Sequence, residues 1–143
     1  MKYNLQRFLD AQNSDYKKAF DEISHGKKTG HWMWYIFPQL KGLGNSHYAV
    51  HYGIANIEEA EEFLNHNILG IRLIEISELL LSLNQSNPVE IFGVIDSLKL
   101  KSCMTLFGQV NNKSRVFEEV LKKYFAGIPD KLTLDLLIKN KKS

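Results

Sequence analysis

The stretch HWMWYIFPQLKGLGNSHYAVHY, from His31 to Tyr52, is the most unusual part of this 143-residue chain. This aromatic stretch contains six of the 16 aromatic residues and three of the five histidines, and Lys41 is its only charged residue. An exposed segment usually carries more charge, and a simple core helix carries fewer aromatic side chains with polar tips. The sequence therefore predicts that the aromatic stretch lies at the centre of the fold and forms one wall of a binding site.

Helical patterns occupy the chain on both sides of the aromatic stretch. Before it, apolar residues recur at helical spacing from Leu5 to Ile23, and we expect two helices separated by a break at residues 13–15. Within it, residues 31–37 are expected to form about two helical turns that end before Pro38. From residue 46 onward, further helices are predicted at residues 46–51, 56–64, 69–83, 88–91, 96–107, 115–126 and 129–137.

These helices predict an all-α fold, since no alternating strand pattern of convincing length accompanies them. We expect a single compact multi-helix domain of about seven to nine short and medium helices. The helical domain is expected to cover residues 1–138. Residues 139–143 include Lys139, Lys141 and Lys142, and we expect them to form a basic, disordered tail.

Several charged segments are expected to have structural roles. Residues 26–30, GKKTG, contain no phosphate-loop pattern and are typical of a short, flexible basic connector. Asp96 is expected to cap the helix that follows it. The glutamates of one helix are expected to face water, because a run of charge on a helix is usually solvated; they are Glu58, Glu59, Glu61 and Glu62.

The composition limits the class of protein. The single cysteine, Cys103, excludes an internal disulfide and is expected to be an inert thiol on a buried helix face. No apolar run is long enough to span a membrane and the first residues do not resemble a signal peptide, so we expect a cytoplasmic protein without a membrane partner. The net charge of +2 is small, and a nucleic-acid partner is not expected.

The aromatic stretch also resembles a known sequence signature. HWMWYIFPQ, followed by Gly42, Gly44 and Ser46, is similar to the signature of the bacterial family called domain of unknown function 1810. The resemblance spans nearly the whole chain and continues in Arg7-Phe8, Ala11-Gln12, Leu69–Leu73, Ile91–Gly93 and Asp96–Phe107. It implies a compact, mostly helical protein and a set of residues to examine, but no reaction. Similar sequences more often have Ser at the position of Cys103, which argues against an essential thiol.

Two parts of the chain supply candidate site residues. Trp32 and Trp34 lie two residues apart, so on a helix their side chains point about 200° from each other. We expect one to pack in the core, and the other to stack on a flat ligand or to cover a seam. The candidates in the aromatic stretch are His31, Trp32, Trp34, Gln39, Ser46 and His47. The candidates in the second part are Lys99, Ser102 and Thr105, and we expect the two parts to complete one site.

The chemistry of these candidates has limits. Lys99 can bind a phosphate or carboxylate as a point charge, or extend its amine into solvent. Ser102 and Thr105 are expected to point away from the buried face of their helix. His47 and His51 have a spacing that permits a shared metal ion, but no carboxylate lies between residues 31 and 57, so no metal site is expected. No cofactor is expected either, because dinucleotide and nucleophile motifs are absent.

Two hypotheses about function follow. The first is a ligand-binding domain, or a small enzyme, for a nucleotide-like or sugar-phosphate-like molecule held by His31, a tryptophan and Gln39 with Lys99 opposite. If the site is catalytic, His31 is the candidate acid or base, because a histidine pKa can be set near neutrality. The alternative is a non-catalytic module, monomeric or homodimeric, that binds a partner protein through exposed aromatic side chains. We favour the first.

Overall fold

Eight α-helices run through residues 3–111 and 114–142, which are the part of the chain that the computed structural model describes. In chain order they are α1 (Gln6–Ser24), α2 (Met33–Ile36), α3 (His47–Tyr52), α4 (Ile57–Asn65), α5 (Leu69–Ser82), α6 (Pro88–Gly108), α7 (Val116–Phe125) and α8 (Lys131–Lys142). Between these helices the described residues contain one isolated β-bridge, from Leu40 to Ile54. The prediction of an all-α fold in a single compact domain is confirmed.

Helix α1 is continuous over 19 residues, so the predicted break at residues 13–15 was wrong. The prediction relied on residues that favour helix caps, and Asn13 and Ser14 are indeed exposed. A continuous buried face overrides that local preference; its residues are Phe8, Gln12, Ala19 and Ile23. In the buried part of this face, the Gln12 side-chain amide donates to the Tyr35 carbonyl at 2.8 Å, which joins α1 to the aromatic stretch.

The aromatic stretch folds back on itself. Helix α2 is a single turn, shorter than predicted, and Phe37 leaves the helical region ahead of Pro38 with φ −119° and ψ 76°. The Lys41 amide then donates to the Ile54 carbonyl at 2.7 Å, and the Ile54 amide donates to the Gln39 carbonyl at 2.8 Å. Residues 41–53, which carry α3, therefore form a loop whose two ends are held side by side.

The core is built around helices α5 and α6. Helix α5 packs against α1, α4 and α7, while α6 packs against α4, α7 and α8. Gly93 has φ +80° and breaks α6 near its start, between the two helices predicted at residues 88–91 and 96–107. Cys103 is fully buried in α6, as predicted, and burial raises the pKa of its thiol well above the ordinary value.

Glu59 was predicted to face water on α4, and this was wrong, because its side chain is only 3% exposed. One carboxylate oxygen pairs with Arg7 at 2.9 Å, and the other accepts the Ala55 amide at 2.7 Å. Arg7 also donates to the carbonyls of His51 at 2.9 Å and Gly53 at 3.1 Å. This buried pair therefore joins α1 to the connection between α3 and α4.

The end of the chain continues helix α8. This helix extends to Lys142, so residues 139–142 prolong it beyond the predicted domain boundary at residue 138. Ser143 lies outside the described residues. Within the described part of the chain, none of the helices combines the length and the apolar character needed to cross a membrane.

Candidate functional site

Two clefts open where the aromatic stretch meets helix α6. The large cleft has a volume of about 480 Å³ and is also lined by residues at the start of α8. The basic cleft has a volume of about 300 Å³ and is also lined by Lys28 of the connector before α2. Trp34 and Lys99 line both, so the two clefts meet at these side chains.

Six of the nine predicted site residues line these clefts: His31, Trp34, Gln39, Ser46, Lys99 and Ser102. The remaining three, Trp32, His47 and Thr105, line neither. The structure therefore brings the aromatic stretch and the segment from Lys99 onward to the same place on the molecule.

The two tryptophans occupy different environments. Trp32 is 2% exposed, and its indole N–H donates to the Glu22 carboxylate at 3.0 Å, so its polar tip is satisfied within the core. Trp34 is 6% exposed and lies beneath both clefts, with the Lys99 amine 5.8 Å from its ring. Trp32 is therefore the tryptophan that packs in the core, and Trp34 is the one that lines the clefts.

Glu22 fixes the connector that leads into the aromatic stretch. The same carboxylate oxygen that accepts from Trp32 also accepts the backbone amides of Thr29 at 2.7 Å and Gly30 at 2.8 Å. Partial burial opposes the charged form, but these hydrogen bonds hold the pKa of Glu22 below its ordinary value. The Lys28 amide donates to the Ile91 carbonyl at 2.8 Å, so the connector is tied to α6 as well.

A cluster of three charged side chains forms the wall of the basic cleft. One oxygen of Asp96 lies 2.8 Å from the Lys28 amine, and the other lies 3.2 Å from the Lys99 amine. Partial burial would raise the pKa of Asp96, but the two ammonium groups hold it below its ordinary value. Two cations share one carboxylate, so the cluster keeps one positive charge, and His31 lies exposed beside it.

Lys28 and Asp96 are functional candidates that the sequence did not identify. The sequence placed Lys28 in a flexible connector and Asp96 at a helix cap. The spacing of Asp96 and Lys99, three residues apart on one helix, was a usable signal for their ion pair. No local signal pointed to Lys28, because its partner lies 68 positions later in the chain.

Ser102 and Thr105 were predicted to point away from the buried face of α6, and this was wrong, because they are 8% and 1% exposed. The Thr105 hydroxyl accepts the Asp130 amide at 2.8 Å and donates to the Lys101 carbonyl at 2.8 Å. The Ser102 hydroxyl lies 3.1 Å from an Asp130 carboxylate oxygen. Both hydroxyls therefore hold Asp130, which lines the large cleft. The sequence predicted only that Asp130 lies at the start of a helix.

The remaining candidates lie along the loop of residues 41–53 and next to it. Gln39 is 2% exposed, and its amide donates to the Phe37 carbonyl at 3.4 Å. The Ser46 hydroxyl accepts the Ala49 amide at 3.2 Å and caps α3, which begins at the next residue. His47 is exposed on α3 with its ring stacked 6.4 Å from that of His51. Among the described residues there is no group of three or more His, Cys, Asp or Glu side chains that could hold a metal ion.

Comparison with known proteins identifies relatives over almost the full length of the chain. A family model described as "Protein of unknown function (DUF1810)" matches residues 2–137. The crystal structure of the conserved hypothetical protein Rv1873 from Mycobacterium tuberculosis is similar at 43% sequence identity and a TM-score of 0.94, over 96% of this chain and 99% of that chain. No curated protein matches the chain. The descriptions of these relatives name no reaction and no ligand.

Proposed function

This chain belongs to the DUF1810 family, as its sequence motifs predicted, and we propose that it binds a small phosphorylated ligand, nucleotide-like or sugar-phosphate-like, in the two clefts that meet at Trp34. The observation that carries the proposal is the cluster of Lys28, Asp96 and Lys99, which retains a positive charge at the meeting point of the clefts.

An anion is the ligand group that this cluster suits. Lys28 is held by Asp96 and by the Gly30 carbonyl, and its side chain is only 7% exposed. The Lys99 side chain is 30% exposed, so its amine can reach a ligand without leaving the cluster. Low exposure to water strengthens the attraction between an ammonium group and a phosphate. Lys99 is therefore the proposed contact to the phosphate, and Lys28 supports it through Asp96.

The large cleft suits the remainder of such a ligand. Its volume of about 480 Å³ falls in the range of small-molecule sites. Its lining combines Trp34 with the apolar residues Leu43 and Leu98 and with Gln39. A ring or sugar packs against the apolar part, and the polar groups orient it. If the ligand is chemically changed, His31 in the basic cleft is the proposed acid or base.

The test is a thermal-stability screen with inorganic phosphate, ribose 5-phosphate and AMP, followed by titration calorimetry. A ligand that binds only the native state raises the melting temperature, and the shift grows with the logarithm of the ligand concentration once that concentration exceeds Kd. We expect Lys99→Gln to weaken phosphate binding about tenfold, since a charged hydrogen-bond donor is removed. Lys18→Gln is the matched control, because Lys18 is an exposed lysine on α1 away from both clefts. Absence of any shift, or equal binding by both variants, would contradict the proposal.

A second candidate function, binding of a partner protein or a second copy, is favoured by a different observation. Three apolar side chains that line the large cleft are 59–70% exposed: Ile95, Leu98 and Leu132. Exposed apolar groups of this kind often mark an interface. Light scattering across a concentration series tests it, and Ile95→Lys should return any dimer to a monomer. A monomer at every concentration, together with no partner, would count against this function.

A further inference from the structure

We infer that Asp130 selects ligands that carry sugar hydroxyls, so that the phosphorylated ligand is a ribose phosphate or a similar sugar phosphate with its hydroxyls intact. The inference rests on the proposed function and names the substrate class of the same site. It starts from the orientation of one carboxylate in the wall of the large cleft.

One oxygen of Asp130 is fully engaged inside the protein. Oδ2 accepts the Thr133 amide at 3.1 Å and the Thr133 hydroxyl at 2.6 Å, which caps helix α8. The Ser102 hydroxyl lies 3.1 Å from the same oxygen. The Thr105 hydroxyl accepts the Asp130 amide, so the backbone is held too. Helix α6 therefore fixes the side chain and the backbone of Asp130 together.

The other oxygen has no such role. Among the described residues, none donates a hydrogen bond to Oδ1 of Asp130, although this side chain lines the large cleft. An ionised carboxylate only accepts hydrogen bonds, so a ligand must meet it with donors. A cap needs one oxygen, and the second is free to recognise a ligand.

The charges in the clefts decide which donors are available. Asp130 repels a phosphate, whereas Lys99 attracts one, and both side chains line the same cleft. A phosphorylated ligand is therefore oriented with its phosphate toward Lys99 and away from Asp130. The donors that a sugar phosphate presents at its other end are hydroxyl groups. Hydroxyls hydrogen-bonded to a carboxylate form strong charge-assisted bonds, so a ligand lacking one is discriminated against.

The experiment compares ligands that differ by a single hydroxyl. Titration calorimetry is carried out with ribose 5-phosphate against 2-deoxyribose 5-phosphate, and with AMP against 2′-deoxy-AMP. The first pair tests a free sugar phosphate and the second tests a nucleotide, so the two sources of the same sugar are distinguished. We expect the wild-type protein to prefer the hydroxylated member of at least one pair by about tenfold.

Asp130→Asn is the informative variant. Asparagine caps a helix about as well as aspartate, so the fold is expected to persist, and unfolding by heat checks this. With its oxygen on the Thr133 amide, asparagine turns a donor toward the cleft where the carboxylate presents an acceptor. The preference for the hydroxylated ligand should fall to less than about threefold, while affinity for inorganic phosphate should not decrease. Asp135→Asn, on the exposed side of α8, is the matched control and should keep the preference.

Each outcome bears on the inference. Equal binding of both members of each pair by the wild-type protein overturns the inference and leaves the proposed phosphate site standing. A preference that persists in Asp130→Asn overturns the role of Asp130. Failure of the wild-type protein to bind any of these phosphates overturns the proposed function and the inference with it. A preference that is lost in Asp130→Asn and kept in Asp135→Asn supports the inference.

Discussion

Two of the clusters of oppositely charged side chains in the molecule are built in contrasting ways. Arg7 and Glu59 form a balanced pair with side chains 11% and 3% exposed, and their remaining polar atoms bind backbone groups. Lys28, Asp96 and Lys99 form an unbalanced cluster that opens on two clefts. The first joins segments of backbone and has nothing left to offer a ligand. The second keeps a charge that a ligand can use.

The difference teaches how to separate structural charges from functional ones. Both clusters hold a carboxylate in a poorly hydrated place, and in both the carboxylate is paired. Two features distinguish the clusters. Glu59 has one cation and Asp96 has two, and the second cation of Asp96, Lys99, is partly exposed. A buried pair with all groups satisfied makes removal of one partner costly to stability. A partly exposed surplus cation contributes little to stability and is available for binding.

The largest expected effect is on the balanced pair. Arg7→Met should lower the free energy of unfolding by about 3 kcal/mol, because it leaves the Glu59 carboxylate buried without its cationic partner. Arg115→Met is the control, since Arg115 is 72% exposed in its pair with Glu118, and a loss below about 0.5 kcal/mol is expected there. Urea denaturation measures both. An equal loss of unfolding free energy in the two variants would show that the buried pair is no more important for stability than the exposed one.

The next effect is on Asp96 and its dependence on pH. Asp96→Asn should lower the free energy of unfolding by about 1–2 kcal/mol at neutral pH, because Lys28 then loses its partner. The pKa of Asp96 is depressed in the folded state, so its stabilising contribution is complete above its unfolded pKa of about 4 and is lost as the pH falls through the folded pKa. The difference between wild type and variant should therefore be constant from about pH 5 to 8 and shrink at more acidic pH.

Urea midpoints measured across this pH series give the comparison directly. The conservative substitution keeps the size of the side chain, so the pH dependence reports its charge. A difference that stays the same down to about pH 2, or that grows in acid, would show that Asp96 is not stabilised by its two lysines.

The smallest effect separates the two lysines of the unbalanced cluster. Lys28→Met should cost about 1–2 kcal/mol, because its amine is buried against Asp96 and the Gly30 carbonyl. Lys99→Met should cost less than about 0.5 kcal/mol, because its side chain is more exposed and screened by water. The order reverses for ligand affinity, where Lys99→Met should have the larger effect. A greater stability loss for Lys99→Met than for Lys28→Met would show that Lys99, and not Lys28, has the structural role.

The sequence predicted the elements of the fold better than their boundaries. Apolar stripes located α4, α5 and α7, because a helix that buries one face repeats its apolar residues at that period. The break placed in α1 shows the limit of local preference, since burial of a continuous face overrides it. Glu59 shows a second limit. It lies four residues before the buried Phe63, on the covered face of α4, and its charge suggested the opposite side.

The sequence predicted that two regions of the chain meet, but it did not predict the partners of their side chains. The low charge of the aromatic stretch and the resemblance of the segment around Lys99 pointed to two regions that the structure brings together. Asp130 and Lys28 were missed as site residues because their contacts with α6 join positions far apart in the sequence. The hydroxyls of Ser102 and Thr105 were identified without Asp130, the group they hold. Spacing on one helix gives the direction of a side chain, whereas tertiary packing decides what it meets.

The bridge that closes the loop of residues 41–53 has a consequence for how the cleft wall can vary. The two ends of the loop stay adjacent because Gln39 and Lys41 both form backbone hydrogen bonds with Ile54. These bonds do not depend on the length of chain between the two ends. Doubling the length of a loop with fixed ends costs only about 0.6 kcal/mol. We therefore expect that residues 43–45, which border the large cleft, can be lengthened, shortened or exchanged while the core beneath them persists. Replacing this loop segment with other sequences is therefore the direct way to change which ligands the cleft accepts.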